Sequence, residues 1–207
     1  MAFIKKLTSQ ALNVDERRQA RGYAELTAGL DSVNPVARRW SARDLILYPE
    51  SAAALVKRLK IEDDVSVREV IITTLIRFAD EVAVAGLVGC LRSDDAAVRN
   101  EAIQAMKQLP DEVAPIMQGL LADPDSDVRI FAVNVLESLR HPQVEAWLIR
   151  VIETDAHVNV CATALDLLSE VGTAEAVAAL TALKDRFASM PYIQFSADLA
   201  LKRIDES

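Results

Sequence analysis

Apolar and small residues recur at helical spacing along this chain, and the same pattern returns about every 30 residues. With Arg38, Arg68, Arg99 and Arg129 as position zero, the separations are 30, 31 and 30 residues. Around the last three, positions +3, +4, +7 and +10 form one stripe along an α-helix. The stripes are Ile71, Ile72, Leu75 and Phe78; Ala102, Ile103, Met106 and Leu109; and Ala132, Val133, Leu136 and Leu139. The chain therefore repeats one amphipathic helix.

The pattern continues in a weaker form toward the C-terminus. With Cys161 and Gln194 as position zero, the spacings are 32 and 33 residues. The stripe positions in these two copies are Ala164, Leu165, Leu168 and Val171, and Ala197, Asp198, Leu201 and Ile204. Asp198 is the one polar residue among them. We therefore count six copies, of which the last two have diverged.

Capping residues mark the start of each repeated helix. Position −4 in the first four copies is occupied by Asn34, Asp64, Asp95 and Asp125. Asn and Asp side chains accept hydrogen bonds from the unpaired amides of a first helical turn. Pro35 and Pro191 stand at position −3, the first helical position, where the missing N–H has no cost. The pattern predicts that each helix begins just after position −4.

A second helical segment lies between consecutive copies, for example "DEVAVAGLVGCL" and "QVEAWLIRVI". Each unit is therefore a helix, a turn and a helix. A single hairpin of this kind cannot bury both of its apolar stripes, but hairpins stacked on one another can. Aromatic residues make up only 5% of the chain, with 6 Gly and 7 Pro, which favours packed helices over a β-sandwich. The sequence predicts an all-α stack of about six hairpins.

The repeat also sets the predicted domain organisation. We place the hairpins at residues 19–48, 49–78, 79–109, 110–140, 141–171 and 172–204, within a single array over residues 19–207. In the N-terminal segment, residues 1–18, one helical stripe carries Phe3, Ile4, Leu7 and Ala11. We expect this segment to cap the array.

Asp-x-x-Val-Arg motifs open three of the repeated helices, at Asp64/Arg68, Asp95/Arg99 and Asp125/Arg129. On these motifs the chain resembles the HEAT-repeat family, in the short bacterial form of the phycobilisome-lyase type, over roughly residues 20–204. The resemblance implies an α-solenoid wound as a right-handed superhelix. It also implies that the second helices of the hairpins line a concave binding face.

The resemblance further implies a ladder of Asp and Arg side chains between adjacent repeats. A guanidinium one turn into the helix would then reach both its own cap and the Asp of the next unit. We expect the ladder to fail in the last two copies. Cys161 and Gln194 replace the Arg there, and His157 and Met190 replace the Asp. Because both members of the pair disappear together, we interpret them as structural residues.

Charge is unevenly distributed along the chain. The net charge is −8, with residues 1–60 at +5 and residues 61–207 at −13. This balance argues against a general nucleic-acid binder, whose affinity comes mostly from Lys and Arg on phosphates. No apolar run is long enough to span a membrane, and the N-terminus lacks the apolar core of a secretory signal. Two cysteines fit a reducing, cytoplasmic setting.

No motif of catalysis or cofactor binding is found, so we expect no catalytic residue, no metal and no cofactor. His157 and Cys161 are four residues apart, a spacing open to a metal site or a Cys-His pair. The alternative is a His in the first turn of a helix beside a half-buried Cys at a repeat junction. Cys90 ends an apolar run typical of a core. Acidic clusters at the corners, which we interpret as caps and solvated turns, are Glu62-Asp63-Asp64, Asp94-Asp95 and Asp111-Glu112.

A partner surface is expected on the repeated helices, at positions +1, +5 and +8, which point away from the core, and at positions +2 and +9 on the flanks. From these we select Arg39, Trp40, Arg43, Ile46, Thr73, Ile76, Arg77, Gln104, Phe131 and Asn134. Trp40 between two arginines, with isoleucines nearby, has the composition of a binding hot spot. Alternatively, the N-terminal segment covers this cluster.

The function predicted from these features is that of a non-enzymatic scaffold or adaptor. It would bind an acidic or amphipathic segment of a protein partner on the concave face, near the basic N-terminal repeats. Two alternatives come from other classes. One is a chromophore or cofactor lyase subunit, or a chaperone, of the HEAT-like lyase type. The other is nucleic-acid binding, which the acidic charge of the later repeats disfavours.

Overall fold

The computed structural model describes residues 21–206, so the predicted cap at residues 1–18 lies outside the described residues. The chain divides into two compact units at the Thr74–Leu75 bond, and each unit is described here by itself. The first unit comprises residues 21–74 and the second residues 75–206. The prediction of a single array over residues 19–207 stays a prediction.

All regular secondary structure within residues 21–206 is helical. The first unit contains α1 (Tyr23–Gly29), α2 (Pro35–Asp44), α3 (Ala52–Leu59) and most of α4 (Val65–Phe78). The second unit contains α5 (Glu81–Cys90), α6 (Ala96–Met106), α7 (Pro110–Leu120), α8 (Ser126–Leu136), α9 (Val144–Thr154), α10 (Val158–Val171), α11 (Val177–Arg186) and α12 (Pro191–Asp205). Short 3₁₀ turns add Leu45–Leu47, Pro49–Ser51 and Ala174–Ala176. The predicted all-α fold of helical hairpins is confirmed.

The repeated helices begin at the predicted caps. The side chain of Asn34 accepts the N–H of Val36 at 2.9 Å, and that of Asp95 accepts the N–H of Ala97 at 2.8 Å. Asp64 and Asp125 cap α4 and α8 in the same way. Each cap satisfies a first-turn amide that has no partner within its own helix. These caps fix where the second helix of each hairpin starts.

The predicted stripes form the core of each unit. In the first unit Ile71 and Ile72 are buried with Leu26, Leu45 and Leu55. In the second unit every stripe residue of α6 and α8 is buried, down to Leu109 and Leu139. The diverged copies bury less: Val171 and Asp198 are exposed, and Leu201 and Ile204 are half-buried. The weaker sequence pattern therefore corresponds to weaker burial.

The arginine at position zero binds the turn that precedes its own helix. In each of the first four copies its Nη1 donates to the carbonyl groups at positions −6 and −5. The acceptors are Ser32 and Val33 for Arg38, Glu62 and Asp63 for Arg68, Ser93 and Asp94 for Arg99, and Asp123 and Pro124 for Arg129. These carbonyls lie beyond the end of the first helix, where no helical N–H reaches them. The arginine thereby joins the two helices of its hairpin.

In two copies the same guanidinium also binds a carboxylate of the next repeat, and that carboxylate is not the capping residue. Arg38 binds Glu62 through Nε and Nη2, at 2.7 Å for both contacts. Arg129 binds Asp155 in the same two-pronged geometry, at 2.6 and 3.0 Å. Glu62 and Asp155 stand at position −6 of their repeats, whereas the expected ladder used position −4. For Arg38 the expectation is wrong, because the carboxylate of Asp64 at −4 caps its own helix. For Arg129 the residue at −4 of the next repeat is His157, which has no carboxylate.

The last two copies replace the arginine with other donors. The thiol of Cys161 donates to the carbonyl of Asp155 at 3.2 Å, the same −6 position. Arg186, at the end of α11, donates to the carbonyls of Glu153 at 2.7 Å and Ile152 at 2.6 Å. Gln194 donates from Nε2 to the carbonyl of Lys184 at 2.8 Å. The Asp–Arg pair disappears as predicted, yet the turn carbonyls remain bound.

Glu62 is the most deeply buried carboxylate of the first unit, with 3% of its surface exposed. Burial by itself would raise the pKa of this carboxyl. Hydrogen bonds from Arg38, Arg58 and the backbone N–H of Asp64 outweigh burial and lower the pKa to about 2. The interpretation of the Glu62-Asp63-Asp64 cluster as a solvated turn is therefore wrong for Glu62. Its carboxylate holds two arginines and one turn together.

Replacing Glu62 tests how much this contact stabilises the fold. Glu62→Gln leaves Arg38 and Arg58 without their carboxylate, a loss that costs about 3–5 kcal/mol for a buried pair. We expect the free energy of unfolding, measured by urea titration with circular dichroism, to fall by about 3–5 kcal/mol. Glu50→Gln removes an exposed carboxylate of the same unit and should change it by less than about 0.5 kcal/mol. Equal losses in the two variants would contradict this role.

The lowered pKa of Glu62 also predicts a pH dependence. The pKa in the folded state, about 2, lies below the ordinary value of 4.5, so the contribution is fully present above about pH 5. It is lost as the pH falls toward 2. Wild-type stability should therefore decline more steeply between pH 5 and pH 2 than that of Glu62→Gln. Urea titrations at several pH values compare the slopes, and parallel curves would exclude Glu62 as the titrating group.

Candidate interaction surface

Arginine side chains surround Trp40 on α2. The guanidinium carbon of Arg43 lies 4.0 Å from the centre of the Trp40 ring, and that of Arg39 lies 6.0 Å from it. Both distances fall within the range of cation–π attraction. Arg43 follows Trp40 by three residues, so the helix places the two side chains on one face. The cluster predicted from the sequence is present as a unit.

A shallow groove of about 260 Å³ opens beside this cluster in the first unit. Its lining residues are Arg39, Trp40, Arg43, Ser66, Glu69 and Val70. We refer to it as the Trp40 groove. Glu69 and Val70 stand at surface positions +1 and +2 of α4 but were not among the selected residues. Ser66 stands at position −2, outside the offsets considered, so no signal in the repeat pointed to it.

The charges at the Trp40 groove are partly balanced within the protein. Arg43 donates to the carboxylate of Asp44 at 2.9 and 2.8 Å, and Arg21 donates to the same carboxylate at 2.8 Å. Burial would raise the pKa of Asp44, but the hydrogen bonds from Arg21 and Arg43 lower it. Arg39 has no ion pair within residues 21–206. Glu69 also lines the groove, so Arg21, Arg39 and Arg43 exceed Asp44 and Glu69 by one positive charge beside the Trp40 ring.

Two further predicted residues of the first unit do not line the Trp40 groove. Ile46 is half-buried in the short turn that follows α2, and its neighbour Leu47 is 77% exposed. Thr73 is exposed on α4, and its hydroxyl donates to the carbonyl of Glu69 at 2.7 Å. An exposed Leu near the end of a helix adds apolar surface to this part of the first unit.

The remaining predicted site residues belong to the second unit. Ile76, Phe131 and Asn134 are half-buried there, and Arg77 and Gln104 are exposed. Phe131 lies beneath Arg99, whose guanidinium carbon is 5.6 Å from the ring centre. The structure therefore brings together Arg39, Trp40 and Arg43, and the prediction that all ten residues share one face stays a prediction.

A larger groove in the second unit was missed. It lies beside Trp147 on α9, a first helix of a hairpin, and is lined by Arg150, Gln118 and Ala122 among others. The partner surface predicted from the sequence lay on the second helices of the hairpins, so it did not include residues of α9. A tryptophan three residues before an arginine was the signal that could have identified the site.

His157 and Cys161 do not form a shared site. His157 is exposed at the start of α10, whereas the Cys161 side chain is fully buried. The Cys161 thiol lies 3.2 Å from Nη2 of Arg186, and burial raises its pKa despite that neighbour. No group of three or more His, Cys, Asp or Glu residues in the described part of the chain could hold a metal ion. These contacts fit the structural interpretation, and Cys90 is likewise buried in the core.

Comparison with protein families gives the identity of the repeat. The family model described as HEAT repeats matches residues 23–107 and 113–190. The chain belongs to the HEAT-repeat family. A search of curated proteins finds no match. Within residues 21–206, no helix of this HEAT-repeat protein is long and apolar enough to cross a bilayer.

Solved structures of repeat proteins are similar to this chain. One is the archaeal HEAT-like repeats protein from Thermococcus onnurineus NA1, with 15% identity and a TM-score of 0.48, covering 87% of this chain and 86% of that one. Another is the complex of CpcE and CpcF of phycocyanin lyase from Nostoc sp. PCC7120, with 19% identity, a TM-score of 0.38, and coverage of 90% and 96%. A designed armadillo repeat protein has 16% identity, a TM-score of 0.40, and coverage of 86% and 98%.

Proposed function

We propose that this protein is a non-enzymatic scaffold that binds an acidic, amphipathic segment of a partner protein at the Trp40 groove. The observation that carries the proposal is the stack of Arg43 on Trp40, 4.0 Å from the ring centre, in a groove that also holds Arg39. Tryptophan and arginine are the residues that most often dominate binding energy at protein interfaces. The membership of the HEAT-repeat family supports a protein-binding role.

The chemistry of the groove supports the class of partner. Arg39 has no ion pair within the described residues, so it can receive a carboxylate from outside. Arg43 is already held by Asp44 and by the Trp40 ring, which lowers the entropy lost when it binds a second carboxylate. Trp40 in the groove, and Ile46 and the exposed Leu47 outside it, provide apolar area for the other face of an amphipathic segment. A segment with carboxylates on one side and apolar residues on the other can bind the arginines and the apolar side chains at the same time.

The proposal includes the absence of catalysis and of a bound cofactor, and a cytoplasmic location. Its support is the lack of any recognised catalytic motif and the use of both cysteines as core residues. Mixing the purified protein with a bilin or with haem tests the lyase alternative directly. An unchanged absorption spectrum agrees with the proposal, and a shifted, saturable spectrum contradicts it.

Charge reversal in the groove tests the binding role. We expect Arg39→Glu with Arg43→Glu to weaken partner binding at least about tenfold, since truncating an interfacial charge pair costs about 2–5 kcal/mol. The measurement is affinity capture from an extract of the source cells, with captured proteins quantified by mass spectrometry.

The matched control reverses two exposed cations of the same unit that lie outside the groove. Lys57→Glu with Lys60→Glu changes the net charge by the same amount and should leave capture unchanged. Circular dichroism checks that both proteins stay helical. Partners retained equally by the groove variant and the wild type would remove this site assignment.

A further inference from the structure

The second unit contains a groove between the first helices of two successive hairpins, α7 and α9. Two cavities of about 360 and 380 Å³ open there. Both are lined by Gln118, Trp147 and Arg150, so they adjoin one another, and we call the two together the Trp147 groove. Its volume lies in the range typical of ligand-binding clefts, about 300–1,000 Å³. None of its lining residues belongs to the Trp40 groove.

Small side chains keep the groove open. The walls include Ala114, Pro115 and Ala122 from α7 and the turn after it, and Ala146 from α9. α9 packs closely against α11 on its other side, but it approaches α7 much less closely. Larger residues at these positions would fill the space between α7 and α9, as apolar residues do in a packed core. The groove therefore follows from the sequence of the two helices.

Trp147 is held in a fixed orientation. Its ring stacks on that of His141, with the ring centres 5.0 Å apart and the planes 7° from parallel. His141 is itself positioned, because its Nδ1 accepts the backbone N–H of Gln143 at 3.2 Å. One face of the indole is thus covered by His141 while the ring also lines both cavities. A preorganised aromatic side chain loses little entropy when it binds a partner.

The charges of the groove leave one cation available. Arg129 is paired with Asp155, and Asp123 is paired with Arg92. Arg150 is exposed, lines both cavities, and has no ion pair within the described residues. It follows Trp147 by three residues, so the two side chains share a helix face. Arg77 and Arg140 are also exposed and without an ion pair in the described part of the second unit, but neither lines these cavities.

The dimensions and polar groups fit an extended peptide. α7 and α9 each have 11 residues, which corresponds to about 16 Å at 1.5 Å per residue. An extended chain rises about 3.3 Å per residue, so about five residues span that length. The exposed side-chain amide of Gln118 has no hydrogen bond within residues 21–206 and can both donate to and accept from a peptide backbone.

We propose that the Trp147 groove binds an extended segment of a partner protein, about five residues long, with an acidic side chain next to an apolar one. The carboxylate binds Arg150, the apolar side chain packs on Trp147, and Gln118 hydrogen-bonds the segment's backbone. This site is independent of the proposed function of the Trp40 groove. It assigns a second binding surface, on the other helix of the hairpin, to the same chain.

Selection from a random heptapeptide library displayed on phage tests the proposal. The target is the full chain carrying Trp40→Phe, so that the Trp40 groove is weakened and Trp147 is the one remaining tryptophan. We expect the enriched peptides to share an acidic residue beside an apolar residue. A synthetic copy of the most enriched peptide should change Trp147 fluorescence in a saturable way.

Variants of the groove then decide the assignment, with dissociation constants measured by titration calorimetry. Arg150→Glu and Trp147→Ala should each weaken the peptide at least tenfold, whereas Arg140→Glu, an exposed cation of the same unit outside the groove, should leave the affinity within twofold. The proposal is overturned if no peptide is enriched, if the enriched peptides lack acidic residues, or if Arg150→Glu binds as well as Arg140→Glu. Circular dichroism confirms that each variant is folded.

Discussion

The fold depends on the binding of backbone carbonyl groups at the turn inside each hairpin. These carbonyls follow the last residues of a first helix, where the helix itself supplies no donor, so each needs a partner from a side chain or from water. A side chain from the following helix supplies the donor, as when Arg99 binds the carbonyls of Ser93 and Asp94 at 2.6 and 3.0 Å. This contact joins the start of the second helix to the turn that follows the first helix.

The constraint applies to the carbonyls and not to arginine itself. Arginine suits the position because one edge of its guanidinium binds the turn while the other edge binds a carboxylate of the next repeat, as Arg129 binds Asp155. In the diverged copies the two tasks are separated. Gln194 binds the carbonyl of Lys184, and Arg186 enters from a different helix to bind that of Ile152. In the diverged copies the donor residue is therefore different, but carbonyl groups near the end of the first helix are still hydrogen-bonded.

The sequence predicted those features that recur with the period of the repeat. The stripe at Ala102 and Ile103 recurs in most copies and the cap at Asp95 recurs in the first four, so comparison between copies revealed them. Glu62 was misjudged because position −6 varies between copies: it is Glu62 in one, Ser93 in the next and Asp155 in another. Its burial results from two arginines that converge on it, Arg38 from the previous hairpin and Arg58 from its own. Two arginines that meet at one carboxylate in the folded protein leave no periodic pattern in the sequence, so this contact could not be predicted from the repeat.

The two tryptophans of the chain lie in similar sequence contexts, but different side chains are ordered around them in the structure. Each is followed by an arginine three residues later, Arg43 after Trp40 and Arg150 after Trp147. Arg43 lies over its own tryptophan and binds Asp44, so that side chain is ordered before a partner arrives. At the other site it is the ring that is ordered, by the stack of His141 on Trp147, while Arg150 stays exposed. The Trp40 groove therefore contains an ordered arginine whose charge is already paired with Asp44, and the Trp147 groove contains an ordered aromatic ring. Since ordering a side chain in advance lowers the entropy lost on binding, the proposed partners would gain from Arg43 at the first groove and from the Trp147 ring at the second.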